Sequence, residues 1–377
     1  MKLAVVAIPP WMGEMKVGID ASRLRPGMSG IGHYVRGILA PLDLALPEAH
    51  FILYARAACD VALPSKRWSI RCDPHSVFNK LPISEWIHYR LGACLASDNL
   101  DVFWAANTLL PNQVGSLPCV TTVYDLNHLL FPGTMPILTR AAHRRWFASD
   151  LRRAARVISI SEGTAARLKA LLGCRVDAIA KPAVPLRGTS TDRSAAAASL
   201  AAVGIRQPFL LTVGTREPRK NLTSAIAAVS TLKAKGCLPD HQLIMAGAGG
   251  WGGRRSGVAM GDQNWIKALG YVDDTILMAL YTLADALLFP SLYEGYGIPL
   301  GEARVYGCRA VATDSPELRE AGGPDVLYVE PTAEAIAQGI EMILSKPAPP
   351  ARRPDHDWND AAIVMAAALR QAAYGSG

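Results

Sequence analysis

Phe289-Pro290-Ser291-Leu292-Tyr293-Glu294-Gly295-Tyr296-Gly297-Ile298-Pro299-Leu300-Gly301-Glu302 is the stretch that decides the fold. An apolar run ends at Phe289 as a buried strand would. Glycines then free the backbone, and Pro299 stands where the first turn of a helix begins. Strand, glycine turn and helix in that order expose the amides of Gly295, Tyr296, Gly297 and Ile298 at the positive end of a helix dipole. Such amides make a seat for an anion. Glu294 and Glu302 flank that seat, eight positions apart. One precedes the turn and the other lies about a helical turn inside, so they reach different ends of an elongated ligand. Carboxylates accept hydrogen bonds from sugar and ribose hydroxyls. A plain helix start with Glu302 on the surface accounts for the glycines alone, but not for the whole segment.

Outward from this stretch, short β-rich runs alternate with longer alanine- and leucine-rich runs. Strands are expected at 17–20, 51–54, 102–104, 119–124 and 157–160. A helix runs from His33 to Leu46, and Ser161 caps another. From Lys181 to Gln207 the chain turns rich in Pro, Ser and Thr and carries no strand pattern, which marks a domain boundary. The alternation restarts with strands at 209–213, 242–246, 286–289 and 309–313. A last helix, near 359–374, comes after the proline-rich stretch Lys346–Pro354. Apolar strands punctuated by helices imply parallel sheets covered on both faces. Ligands of such sheets bind beyond the carboxyl ends of the strands, so two of them imply a crevice between. The expected units are 1–185, completed by 359–377, and 186–358.

The 377 residues are 50% hydrophobic, which rules out disorder and exceeds what one core holds. A net charge of +7 favours anionic partners: phosphate esters, anionic lipid surfaces or, third, nucleic acid. Aromatics are not interleaved along a basic stretch, so nucleic acid is not expected. Seven scattered cysteines, never spaced CxxC, read as reduced thiols of a cytoplasmic protein. No run of about 18 uncharged apolar residues suggests a membrane-spanning helix. Residues 1–14 read as an extension ahead of the first strand, which starts at Met15.

Val213-Gly214-Thr215-Arg216-Glu217-Pro218-Arg219-Lys220-Asn221 is a second strand-turn-helix junction. Arg219 and Lys220 at its helix start can neutralise a diphosphate as its bond to a sugar breaks. Together the two junctions resemble retaining, nucleotide-sugar-dependent glycosyltransferases of family 4, which have the two-Rossmann GT-B fold. Glu294 and Glu302 match the family's E-x7-E signature, and Pro218–Asn221 its P-R-K-N phosphate motif. Leu269–Thr275 and Ala284–Ser291 look like the family's lead into the signature, and Pro316–Gly323 is similar to the segment on its far side. Ser29–Tyr34, with Gly30 and Gly32, looks like the glycine loop that faces the crevice. Trp358 and the terminal helix resemble the family's crossover onto the N-terminal domain.

The resemblance implies an α/β GT-B enzyme with the donor in the C-terminal domain and the acceptor in the N-terminal one. Glu294 orients the donor sugar, Glu302 the ribose, and Arg219 and Lys220 the diphosphate, helped by Gly214, Thr215 and the amides of Gly295–Ile298. Thr215 stands where the family often has an arginine, so Arg219 is expected to do that work. Tyr124 stands where the family has a sugar-contacting histidine, while Asp125 accepts from an incoming hydroxyl. Mannose from GDP-mannose, passed to a lipid-linked glycan, is the expected reaction, with no metal and no other cofactor. Rhamnosyl transfer from a UDP- or dTDP-sugar, or a GT-B epimerase or phosphorylase, are the rivals. A non-catalytic scaffold leaves the four charged residues unexplained. Finally, Thr139–Val157 carries six arginines, Arg140 to Arg156, against one aspartate. It reads either as a solvated face or as a surface for anionic lipid.

Overall fold

The computed structural model describes residues 14–25, 30–57, 59, 61–73, 75, 80–185, 192–249 and 264–375. The expected extension at 1–14, all but its last residue, lies outside them, as does Ser29 of the glycine loop.

Seven strands build the N-terminal lobe: β1 (Met15–Asp20), β2 (Ala49–Ala55), β3 (Trp68–Cys72), β4 (Val102–Ala105), β5 (Cys119–Val123), β6 (Arg156–Ser159) and β7 (Ala178–Ile179). They pair in parallel in the order β3-β2-β1-β4-β5-β6-β7. Its helices are α1 (Gly30–Ala45), α2 (Ile83–Trp86), α3 (Gly92–Leu95), α4 (Asn127–Leu130), α5 (Ile137–Arg153) and α6 (Glu162–Leu172). β4 and β5 are buried from end to end, as strands of a sheet covered on both faces are; in β5 the burial includes Thr121 and Thr122. Ser161 caps α6 as expected, its hydroxyl accepting from the Thr164 amide at 3.0 Å.

The C-terminal lobe begins with α7 (Arg193–Ala202), followed by β8 (Phe209–Val213), α8 (Leu222–Ala234), β9 (Gln242–Ala246), β10 (Ile266–Gly270), α9 (Asp274–Leu283) and β11 (Ala286–Phe289). Then come α10 (Ile298–Val305), β12 (Ala310–Thr313), α11 (Pro316–Gly322), β13 (Leu327–Val329), α12 (Ala333–Leu344) and α13 (Trp358–Tyr374). The sheet order is β10-β9-β8-β11-β12-β13, again parallel throughout. The boundary stretch, which carries no strand pattern, contains a helix: α7 lies inside it and packs on α9. Asp192 caps α7 through the amides of Ser194 and Ala195, and Ala196 and Leu200 are its buried positions.

α13 leaves the C-terminal lobe and packs on α1. A Cβ at Gly37 would lie 2.3 Å from the Trp358 ring, so only glycine lets the two helices meet there. Arg370 closes the far end of α13 on Glu48 at 2.7 Å. The lobes also meet directly. The Arg167 guanidinium on α6 forks onto the fully buried Glu317 carboxylate on α11. Glu320, one turn later, accepts from the Glu162 amide at 2.9 Å and so serves the first turn of α6. Tyr293, from the turn after β11, is buried among N-lobe side chains and accepts from the Leu126 amide at 2.9 Å.

In each sheet the strand order reverses once, between β1 and β4 in one lobe and between β8 and β11 in the other. A crevice opens beyond the carboxyl ends of the strands at such a reversal.

Candidate active site

The C-lobe reversal collects residues from two turns. Gly214 follows β8 with φ +134, a conformation that glycine adopts without strain, and a Cβ there would sit 3.2 Å from the Lys220 side chain. A turn of 3₁₀ helix, Pro218–Lys220, then carries both cations. From the other turn, after β11, comes Glu294, only 8% exposed. Arg219 Nη1 donates to Glu294 Oε2 at 2.5 Å and to the Tyr293 carbonyl at 2.8 Å. Lys220 Nζ donates to Glu294 Oε1 at 2.6 Å and lies 5.0 Å from the centre of the Phe289 ring.

Burial alone would raise the Glu294 carboxyl, but the adjacent Arg219 and Lys220 outweigh it and bring its pKa down to about 2. Burial opposes the charge on Lys220 and lowers its pKa despite Glu294. Burial also opposes Arg219, yet Glu294, Asp125 and Glu217 overcome it and raise its pKa. Asp125, after β5 in the other lobe, therefore stands within electrostatic reach of Arg219. The structure thus brings together Glu294, Arg219, Lys220 and Asp125. Each carboxylate oxygen of Glu294 holds one cation and keeps lone pairs for further donors.

The remaining expected residues fall in several places. Gly295 is pressed against the other lobe: a Cβ would lie 1.7 Å from the Tyr124 carbonyl oxygen. Its own carbonyl accepts from Ser161 Oγ at 2.7 Å and Thr164 Oγ1 at 3.2 Å. Gly297, with φ +110, is the N-cap of α10, Ile298 is its first residue, and no side chain caps that end. Glu302 is 2% exposed and accepts from the Tyr281 hydroxyl at 2.8 Å. Thr215 is half-buried and gives its carbonyl to the Glu217 amide. Gly30 opens α1 and is exposed, and Gly32 is buried two residues along.

The Tyr124 ring is placed otherwise than expected, and the Tyr296 ring also turns into the fold. The Tyr124 ring lies in the N-lobe core, edge-on to Tyr34, and its hydroxyl donates to the Ala106 carbonyl at 2.8 Å. The Tyr296 hydroxyl meets His356 Nε2 at 3.0 Å, beneath the segment leading into α13. Their phenols are therefore spent on the fold, and only their backbones border the crevice turn.

On α5, Trp146 and Phe147 face inward. Arg153 holds Asp150 and the Pro111 and Asn112 carbonyls, and Arg140 reaches the Pro132 carbonyl. Arg144 and Arg145 are exposed, near the helix start where Ile137 is 72% and Leu138 62% exposed. Among the described residues no helix is long and apolar enough to cross a membrane.

Asp20, Arg23, Asn107 and His143 escape a reading of the sequence alone. They surround the N-lobe reversal, and the available signal is Asp20-Ala21-Ser22-Arg23 directly at the end of the first strand.

Comparison with known proteins fits this geometry. Residues 201–363 match the family described as Glycosyl transferases group 1. The chain is 32% identical over 177 residues to O-antigen chain mannosyltransferase B of Escherichia coli, covering 44% of this chain and 42% of that protein. It is 30% identical over 138 residues to O-antigen chain mannosyltransferase RfbU of Salmonella typhimurium, covering 34% and 36%. The matched stretch thus spans less than half the length of either relative. Among solved structures, WaaG, a glycosyltransferase involved in lipopolysaccharide biosynthesis, superposes with a TM-score of 0.65 at 17% identity, over 95% of this chain and 97% of that one. That likeness extends to both lobes, and the fold is GT-B.

Proposed function

From a C-terminal lobe that is a group 1 glycosyl transferase domain, we propose that the protein transfers mannose from GDP-mannose to a lipid-linked glycan in polysaccharide synthesis, with retention and without a divalent ion. The observation that carries this is the buried Glu294–Arg219–Lys220 cluster at the C-lobe reversal. Two cations there match the charge that a nucleoside diphosphate gains as it departs. They are held before the reaction, so no reorganisation is needed when that charge develops.

In this reading the bond from the anomeric carbon to the diphosphate oxygen breaks, and the acceptor oxygen bonds the same carbon from the same face. The acceptor proton passes to the departing phosphate. Arg219 and Lys220 hold the diphosphate with the amides of Gly295–Ile298. Glu294 accepts from donor-sugar hydroxyls on its remaining lone pairs, and Glu302 takes the ribose. Asp125 accepts from the incoming hydroxyl. The choice of mannose rests on what the two relatives are named for. Exposed Ile137 and Leu138 near Arg144 and Arg145 support a seat on anionic lipid at the inner face of the cytoplasmic membrane.

The test is a thermal-shift panel of GDP-, UDP- and dTDP-sugars, followed by transfer assays with and without EDTA. A ligand present at about a hundred times its Kd stabilises by ~2.7 kcal/mol. A shift by GDP-mannose alone and turnover that survives EDTA are expected. A shift by another base only, or loss of turnover on chelation, overturns the donor or the metal-free step respectively.

A further inference from the structure

The N-lobe reversal holds a second set of polar groups that the donor reading leaves unused. Asp20 ends β1 and is 2% exposed. Its Oδ1 accepts from the Ser22 amide at 2.8 Å, while its Oδ2 and the neighbouring Ser22 hydroxyl, both buried, have no hydrogen-bond partner among the described residues. A buried carboxylate oxygen without a donor is costly, and native proteins keep few of them. Arg23, three residues on, donates through Nε to Asn107 Oδ1 at 3.1 Å. Its two terminal nitrogens donate to nothing among the described residues.

Asn107 follows β4 and stands beside a strained residue. Thr108 is β-branched yet has φ +70, a conformation costing roughly 1–3 kcal/mol. Two hydrogen bonds hold it there, Thr108 Oγ1 to the Thr122 carbonyl at 2.8 Å and Thr121 Oγ1 to the Thr108 carbonyl at 2.6 Å. The strained turn fixes Asn107, and Asn107 fixes the guanidinium. His143 on α5 lies within electrostatic reach of both Arg23 and Asp125, and Asp125 in turn of Arg219.

We propose that Asp20, Arg23 and Asn107 bind a neutral, hydroxylated sugar of the acceptor, one hydroxyl donating to Asp20 Oδ2 and its neighbour accepting from the Arg23 terminal nitrogens. The proposal rests on the glycosyl-transfer reading and gives it an acceptor class. The chemistry selects that class. A hydroxyl both donates and accepts, so adjacent hydroxyls satisfy the carboxylate and the guanidinium together. A phosphate at neutral pH mainly accepts, and would leave Asp20 facing a like charge.

The experiment is ligand-observed NMR on the full chain, titrating methyl α-mannopyranoside and, separately, inorganic phosphate. Wild type is compared with Asp20→Asn and Arg23→Gln, and the thermal shift with GDP-mannose is recorded for all three. The mannoside is expected to bind wild type, with Kd raised about tenfold or more in each variant, the scale of one hydrogen bond to a charged group. The GDP-mannose shift is expected to persist in both. Mannoside binding untouched by both substitutions overturns the proposal, as does a wild type that binds phosphate but not the mannoside, or neither. Arg23 is only half-buried, so Arg23→Gln decides the matter even if Asp20→Asn does not fold. The two readings fail separately. If GDP-mannose gives no shift while the mannoside still requires Asp20, the donor assignment falls and this one stands. If GDP-mannose shifts the protein while both variants bind the mannoside normally, only this one falls.

Discussion

Each lobe places one buried carboxylate where its strand order reverses, and the two are treated in opposite ways. Glu294 has a cation on each oxygen, and the pull of Arg219 and Lys220 overcomes burial, so its pKa falls to about 2. Asp20 has one oxygen on a backbone amide and the other without a hydrogen bond among the described residues, and burial, the largest influence, raises its pKa above 3.8 despite Ser22, Arg23 and the Asn107 backbone. Fold position alone therefore does not decide what a carboxylate does. Compensation does: the C-lobe carboxylate is a fixed anchor for cations, whereas the N-lobe one is left with an unmet demand for a donor.

The hardest blow to this contrast is Glu294→Ala. It strands two buried cations, so transfer is expected to fall by about 10²–10³ and stability by ~3–5 kcal/mol in denaturant unfolding. Unchanged values in both measurements would mean that the cluster is decorative. Lys220→Ala separates the two effects. It leaves Glu294 paired with Arg219, so the expected loss in kcat is again about 10²-fold, with a smaller change in the unfolding midpoint. Next comes the joint between the lobes. Arg167→Ala leaves the fully buried Glu317 without its guanidinium, and about 2–3 kcal/mol of stability should go with it. Donor binding, read by the GDP-mannose thermal shift, should survive, because Arg167 meets the Tyr293 ring and bonds none of Glu294, Arg219 and Lys220.

Much of this is legible in the sequence because it is local. Strands 209–213, 242–246 and 286–289 are short, mainly apolar runs bounded by Pro, Gly or polar residues, and the structure places them at those residues. The Ser161 cap and the start of α8 at Leu222 are likewise set by neighbouring residues. The features that escape depend on distant partners. α7 is alanine-rich and marginal alone, and it exists where α9 covers it. The Glu317–Arg167 fork joins residues 150 positions apart. Tyr124, directly after a strand, is expected to face the crevice, but its ring turns to the core, where Ala106 and Tyr34 receive it. In the sequence Asp20 is like any strand-ending carboxylate. That its Oδ2 has no hydrogen bond among the described residues is a property of the assembled lobe, which a one-dimensional pattern does not carry.

The smallest expected effect is the sharpest test of the contrast, because the two carboxylates should respond to acid with opposite signs. Glu294 has a folded pKa below its ordinary value of 4.5, so its contribution to stability is present above that value and is lost as pH falls towards about 2. Asp20 has a folded pKa above its ordinary 3.8. Its carboxyl is tolerated while protonated, and its cost appears as pH rises through the folded value. Asp20→Asn keeps an oxygen for the Ser22 amide and offers a donor to the unpartnered Ser22 hydroxyl. The variant should therefore match or exceed wild type by up to ~1 kcal/mol at pH 7, and the gain should vanish below pH ~3.5. Paired denaturant titrations at the two pH values measure it. A variant less stable than wild type at pH 7, with the deficit shrinking in acid, would make Asp20 an anchor like Glu294. The asymmetry between the two reversals would then be gone.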